Sequence, residues 1–166
     1  LNVPVVVTSS TSVYPDKNDT VTEADAEAIK SPHSGLVMLE VENAFASLKP
    51  VILRFGGLFG EEMPPGRFLM GRTNIPGGLN PVNMTHLEDA RNAIVFALTV
   101  GLNDAVFNVV SPEHPSRHDF YHEAARKLGV EPPGFLATVT PHKVVSSEAI
   151  LNAGFTFTHK NPINAL

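Results

Sequence analysis

The apolar positions of this chain follow two rhythms. Val5-Val6-Val7 and Val51-Ile52-Leu53 open short runs without polar interruption, and Ala105 to Val110 is a third. Runs of that kind are what strands buried on both faces look like, and they predict strands over Val5–Ser9, Val51–Phe55 and Ala105–Val110. Between them the apolar period lengthens to that of a helix. Leu36, Leu39, Val41, Phe45 and Leu48 predict a helix over Ser34–Leu48, with Glu40, Glu42 and Asn43 between the apolar positions and Pro50 as the stop. Leu87, Ala90, Ile94, Ala97 and Leu98 share one face of a helix over Leu87–Val100, preceded by a capping-box spacing, Thr85-x-x-Glu88. Ser116-x-x-Asp119 starts another helix that runs to Leu128 and stops at Gly129. Farther on, Lys143-Val144-Val145 reads as extended, Glu148 to Asn152 as a short helix, and Phe155-Thr156-Phe157 alternates like an edge strand. Strands and helices in alternation, with continuous apolar strands, predict a doubly wound α/β fold with a parallel sheet.

Composition narrows the picture. The chain has 166 residues, 43% hydrophobic and 17% charged, which suits a globular domain with a sizeable core and excludes disorder. A net charge of −5 with scattered Lys and Arg argues against a nucleic-acid partner. No apolar run approaches the thickness of a bilayer and no signal core opens the chain, so a membrane is not expected and the cytoplasm is the expected location. With no cysteine, thiolate catalysis, disulfides and cysteine-bound zinc are excluded.

The candidate chemistry sits where strands end. Val7 is followed by Thr8-Ser9-Ser10-Thr11-Ser12, a hydroxyl cluster at the carboxyl end of a strand, where open α/β sheets bind ligands. Such hydroxyls either cap and turn the backbone or hydrogen-bond a substrate or cofactor, and composition leaves both open. Gly56-Gly57-Leu58-Phe59-Gly60 follows the second strand; glycine there serves a tight turn or the close approach of a ligand. Arg54 is read either as a structural ion pair or as an anion contact, and Arg67, in a loop, as the better phosphate candidate. None of the seven histidines falls in an HExxH spacing, and no metal site is expected. His114, His118 and His122 fall four apart, but Pro115 and the Ser116 cap put His114 outside the helix, and all three are read as surface histidines.

Three blocks, Ser9 to Tyr14, Arg54 to Gly60 and Asn83 to Asp89, resemble in order and spacing the second half of an extended short-chain dehydrogenase/reductase of the NAD-dependent epimerase/dehydratase family. Arg117-x-Asp119-Phe120-Tyr121 and the stretch from Val145 to Phe155 are similar to the C-terminal region of its atypical members. The resemblance implies part of a Rossmann-type parallel sheet over residues 1–110, the second half of an NAD(P)-binding domain, and a small C-terminal α/β substrate region over residues 111–166. It places Ser10 on the catalytic Ser/Thr, Ser9 and Gly56, Gly57 and Leu58 beside the cofactor, and Asn83 and His86 near the substrate, with a sugar nucleotide as the implied substrate class; Arg67, in a loop near that pocket, is added as a substrate contact on its charge. Asp89 is read as a carboxylate favoured by the positive end of its helix.

Two departures qualify this. The catalytic Tyr-x-x-x-Lys pair aligns with His33 and Val37; Val37 cannot depress a partner's pKa, and His33 is read either as the aligned group able to move a proton or as a surface histidine before the helix. No glycine-rich dinucleotide turn stands in the chain. NAD or NADP is therefore expected in a complete form and not on this chain alone, and the edge of the first strand is expected to seek a partner, such as a second copy. The alternative reading is a non-catalytic NAD(P)-fold binding or regulatory module.

Overall fold

The computed structural model describes residues 3–27 and 33–166, without the side chain of His33. Its centre is a three-stranded parallel sheet formed by β1 (Val6–Ser10), β3 (Val51–Phe55) and β6 (Ala105–Val109), in that order. The register runs Val6 beside Val51 beside Ala105, and so on to Ser10, Phe55 and Val109 at the carboxyl ends. The predicted strands are present within a residue at each end, and their parallel pairing bears out the doubly wound α/β reading.

Two faces of this sheet carry different chemistry. Val51, Leu53 and Phe55 point into a core with Ala90, Ala93 and Ala97 of helix α2 (Leu87–Thr99), Ile150 of helix α4 (Glu148–Asn152), and Phe155 and Phe157. Small alanines let α2 lie close to the sheet. The opposite face, carrying Ser9 and Arg54, meets helix α1 (His33–Ala44) through Glu42.

Two short parallel pairs complete the frame. β4 (Gly57–Phe59) pairs with β5 (Met84–His86), which leads directly into α2. β2 (Thr20–Val21) pairs with β7 (Val144–Val145). Thus a strand from within residues 1–110 and one from within residues 111–166 form one ladder. A third cluster packs Phe59, Val82 and Met84 against Phe120 of helix α3 (Arg117–Leu128). Ser116 caps α3 by accepting from the Asp119 N–H, and Gly129 closes it in the left-handed conformation, as its sequence predicts.

Four local expectations change. Thr85 does not cap α2; His86 does, accepting the Glu88 N–H at Nδ1, 3.2 Å. Thr85 is instead fully buried, taking the Gly56 N–H at 2.9 Å and donating to the Val109 carbonyl, so it ties β5 to β6. Helix α1 ends at Ala44, before the exposed Phe45 and Leu48, and its supposedly polar Glu42 is buried. Leu98 is likewise exposed although the period puts it on the apolar face of α2. Phe155 and Phe157 are buried in the main core, but belong to no strand.

Candidate functional site

Ser9, Arg54 and Asn108 occupy one cross-strand row on the α1 face of the sheet. Ser9 donates to Glu42 Oε1 at 2.6 Å, and Arg54 holds both carboxylate oxygens of Glu42 at 2.9 and 2.8 Å. The other arm of Arg54 donates to the Tyr14 hydroxyl at 2.8 Å, which donates in turn to Asn108 Oδ1 at 2.5 Å. Asn108 continues to the Ser146 carbonyl at 3.0 Å. Every member except Ser146 is buried. Burial opposes the Arg54 cation, but bonds to Glu42 and Tyr14 outweigh it and hold its pKa above the ordinary value. Burial also pushes the Tyr14 phenol up to about 12, against the pull of Arg54. Of the two readings of Arg54, the structure shows the ion pair. The Ser9 hydroxyl is spent on the same network.

At the carboxyl edge, Ser10 is half-buried and accepts the Ser12 N–H at 3.1 Å, capping a single 3-10 turn over Thr11–Val13. It stands level with Phe55 and Val109, one residue short of Gly56. A Cβ on Gly56 would collide with the Asn83 carbonyl, so the residue must be glycine because β5 passes close to it. Gly57 is exposed, and Leu58 packs on the main core. Asn83 uses both ends of its amide on the β7 backbone, accepting from Val145 at 2.8 Å and donating to the Lys143 carbonyl at 2.9 Å. His33 opens α1, and its side chain lies outside the described residues; Val37, one turn on, is exposed.

A cleft of about 800 Å³ opens beyond β4 and β5. Arg67, from a 3-10 turn over Pro65–Arg67 packed on α3, and His86 both line it, so the structure brings together two of the three predicted substrate residues. Asn83 is not among its lining residues. Glu88, Arg91, Lys127 and His159 also line it. His159 meets Glu88 at 2.7 Å (Nε2 to Oε2), and the rings of His86 and His159 lie 3.9 Å apart. Desolvation and the neighbouring His159 keep His86 below the ordinary histidine pKa, and the His159 bond lowers that of Glu88. Beneath them the fully buried Asp89 accepts the N–H groups of Thr158 and His159 at 2.7 and 3.0 Å. Asp89 therefore fixes a distant turn, beyond its expected place at the helix start.

Sequence reasoning passed over Glu42, Glu88 and His159. Glu42 looks solvent-facing by period, and His159 lies 71 residues from Glu88, with no local spacing to join them. The three surface histidines also divide. His114 is half-buried with Nδ1 on the Val82 carbonyl at 3.0 Å, whereas the rings of His118 and His122 stack 3.9 Å apart.

No family model matches the chain. It is 37% identical to Protein YeeZ of Escherichia coli K12 over 167 residues, 96% of this chain and 60% of that protein. Among solved structures, one from Methylobacillus flagellatus described as an NAD-dependent epimerase/dehydratase superposes with a TM-score of 0.76 at 22% identity, over 98% of this chain and 62% of that one. A UDP-glucuronic acid 4-epimerase from Bacillus cereus in complex with NAD gives 0.72 at 21%, over 96% and 58%. The chain spans about 60% of the length of the curated relative it matches. Its fold is that of the NAD-dependent epimerase/dehydratase structures, as the three sequence blocks implied.

Proposed function

We propose that this chain forms the substrate-side part of an NAD(P)-dependent epimerase/dehydratase-like protein that takes a sugar nucleotide. The observation that carries this is the level row of Ser10, Phe55 and Val109 at the carboxyl edge of a parallel sheet, with Gly56 just beyond it. That edge is where such sheets present ligands, and a protein of the same fold is solved with NAD. In this reading Ser10 polarises a substrate oxygen, and the backbone of Gly56, Gly57 and Leu58 borders the nicotinamide. Ser9 contributes only by holding Glu42. Arg67 and His86 meet the substrate from the cleft, and Asn83 acts through the β7 backbone that it holds. His33 moves the proton. Among the described residues β1 has one strand neighbour, and a second copy is the proposed partner of its other edge.

A non-catalytic NAD(P)-fold binding module is the second reading, and one observation favours it. Helix α1 carries neither Tyr nor Lys, and Val37 faces solvent where a lysine would act. The test is calorimetry with NAD and NADP, then turnover of a panel of sugar nucleotides, on the full-length protein. Cofactor binding with turnover, cut about a hundred- to ten-thousand-fold by His33→Ala, is the expected result. Cofactor binding with no turnover across the panel selects the second reading. Absence of cofactor binding overturns both.

A further inference from the structure

We propose that His86, Glu88 and His159 form a binding site for a divalent transition-metal cation of the zinc class. Two imidazoles and a carboxylate make a ligand set that suits such ions. One ligand atom from each residue lies within 4.8 Å of the others. A tetrahedral ion with bonds of about 2.0–2.1 Å needs its ligand atoms about 3.3 Å apart. The ligand atoms must therefore draw together by up to about 1.5 Å when an ion binds.

The backbone is already fixed. Asp89 anchors the Thr158–His159 turn through two N–H bonds from a fully buried carboxylate. His86 is held as the residue before α2, its ring edge-on to the buried Phe59 with 5.2 Å between centroids. Residues that support ligands from behind in this way are what set a metal site's geometry. The positive end of α2 and the cleft cations Arg67, Arg91 and Lys127 oppose a cation; Glu88, Asp89 and Glu61 act against them, and Glu62 pairs with Arg91 at 3.7 Å.

Protons rearrange when the ion enters. An imidazole ligates through a bare nitrogen, so the proton that His159 shares with Glu88 moves to Nδ1 and the metal takes its place between Nε2 and Oε2. If His86 ligates through Nε2, its own proton moves to Nδ1 and the 3.2 Å cap bond to the Glu88 N–H is given up. The coordination positions left over face a cleft that Arg67 and Arg91 also line, a place for an anionic group of a ligand.

The test is titration of metal-free full-length protein with Zn²⁺ by calorimetry, and with Co²⁺ by visible absorption. One ion per chain with tetrahedral Co²⁺ bands is expected. Removing a residue that merely supports a ligand costs about 10–100-fold in metal affinity, so Glu88→Gln and His159→Ala are each expected to cost at least about a hundredfold. Glu88→Gln preserves shape at an exposed position, which keeps the test valid if His159→Ala fails to fold. The double variant His118→Ala/His122→Ala, on α3, is expected to bind as the parent does. No saturable binding, parental affinity in Glu88→Gln, or loss of the ion in the α3 variant would each overturn the proposal. None of these readouts depends on NAD(P) binding or turnover.

Discussion

The α1 face of the sheet and the cleft beyond β5 are both rich in charge, and they use it in opposite ways. In the first, Arg54 and Glu42 have side chains only 5% and 6% exposed, and the surrounding polar groups are spent on one another. In the second, Glu88 is 48% exposed and His159 24%, and their contact is a single bond beside open volume. A buried charge must be paired where it stands, because desolvation makes an unpaired one too costly to keep. A half-exposed one can change partner cheaply, since water stands in during the exchange. The lesson for this fold is that charge density near the strand ends does not by itself mark a binding site. The charged network nearest the candidate edge is structural, and the half-exposed charges line the cleft farther out.

The sharpest way to break that contrast is Arg54→Met. It strands the Glu42 carboxylate and is expected to cost about 3–5 kcal/mol in urea unfolding; a loss below about 1 kcal/mol would mean the pair is not holding α1 to the sheet. Next comes alkaline pH. The Tyr14 phenol titrates near 10.0 when unfolded and at about 12 in the fold. The fold therefore binds the proton more tightly, its contribution is complete below pH 10, and it is lost as pH rises through 12. That loss amounts to roughly 2–3 kcal/mol at about 1.4 kcal/mol per unit. Burial raises Tyr121 too, in the same sense, so the measurement is the difference in melting temperature between parent and Tyr14→Phe across this window. Only the parent is expected to carry the Tyr14 slope. Gly56→Ala follows, at about 1–3 kcal/mol, because a methyl group must displace the Asn83 backbone. The smallest effect belongs to the cleft. His86→Ala removes a helix cap and is expected to cost about 1 kcal/mol or less in the same urea assay. A penalty as large as that of Arg54→Met would erase the distinction between the two regions.

What the sequence made legible follows from the range of each signal. β1, β3 and β6 are continuous apolar runs, and α3 has a serine cap and a terminal glycine; these are local marks, and the structure bears them out. The candidate residues Arg67 and His86 line one cleft. The errors arise where position in space, and not period, decides burial. Glu42 is drawn inward by Arg54, a partner on the next strand. Thr85 has the spacing of a cap but lies under β6, where its hydroxyl is worth more to the Val109 carbonyl. Phe155 and Phe157 alternate because both fill the space over the sheet, and that needs no ladder. The pairing of Glu88 with His159 has no local signature.

The ladder between β2 and β7 has a consequence for the order of folding. Its two residues per strand are joined across more than a hundred positions of chain, and the Asn18 side chain reinforces it by accepting from His142, 124 residues away. Closing a loop that long costs entropy that two residue pairs cannot return by themselves. The ladder therefore forms late, after β1, β3 and β6 have assembled, and acts as a latch drawn across a finished frame. Asn83 and Asn108 hold the backbone on either side of β7, at the Lys143 and Ser146 carbonyls.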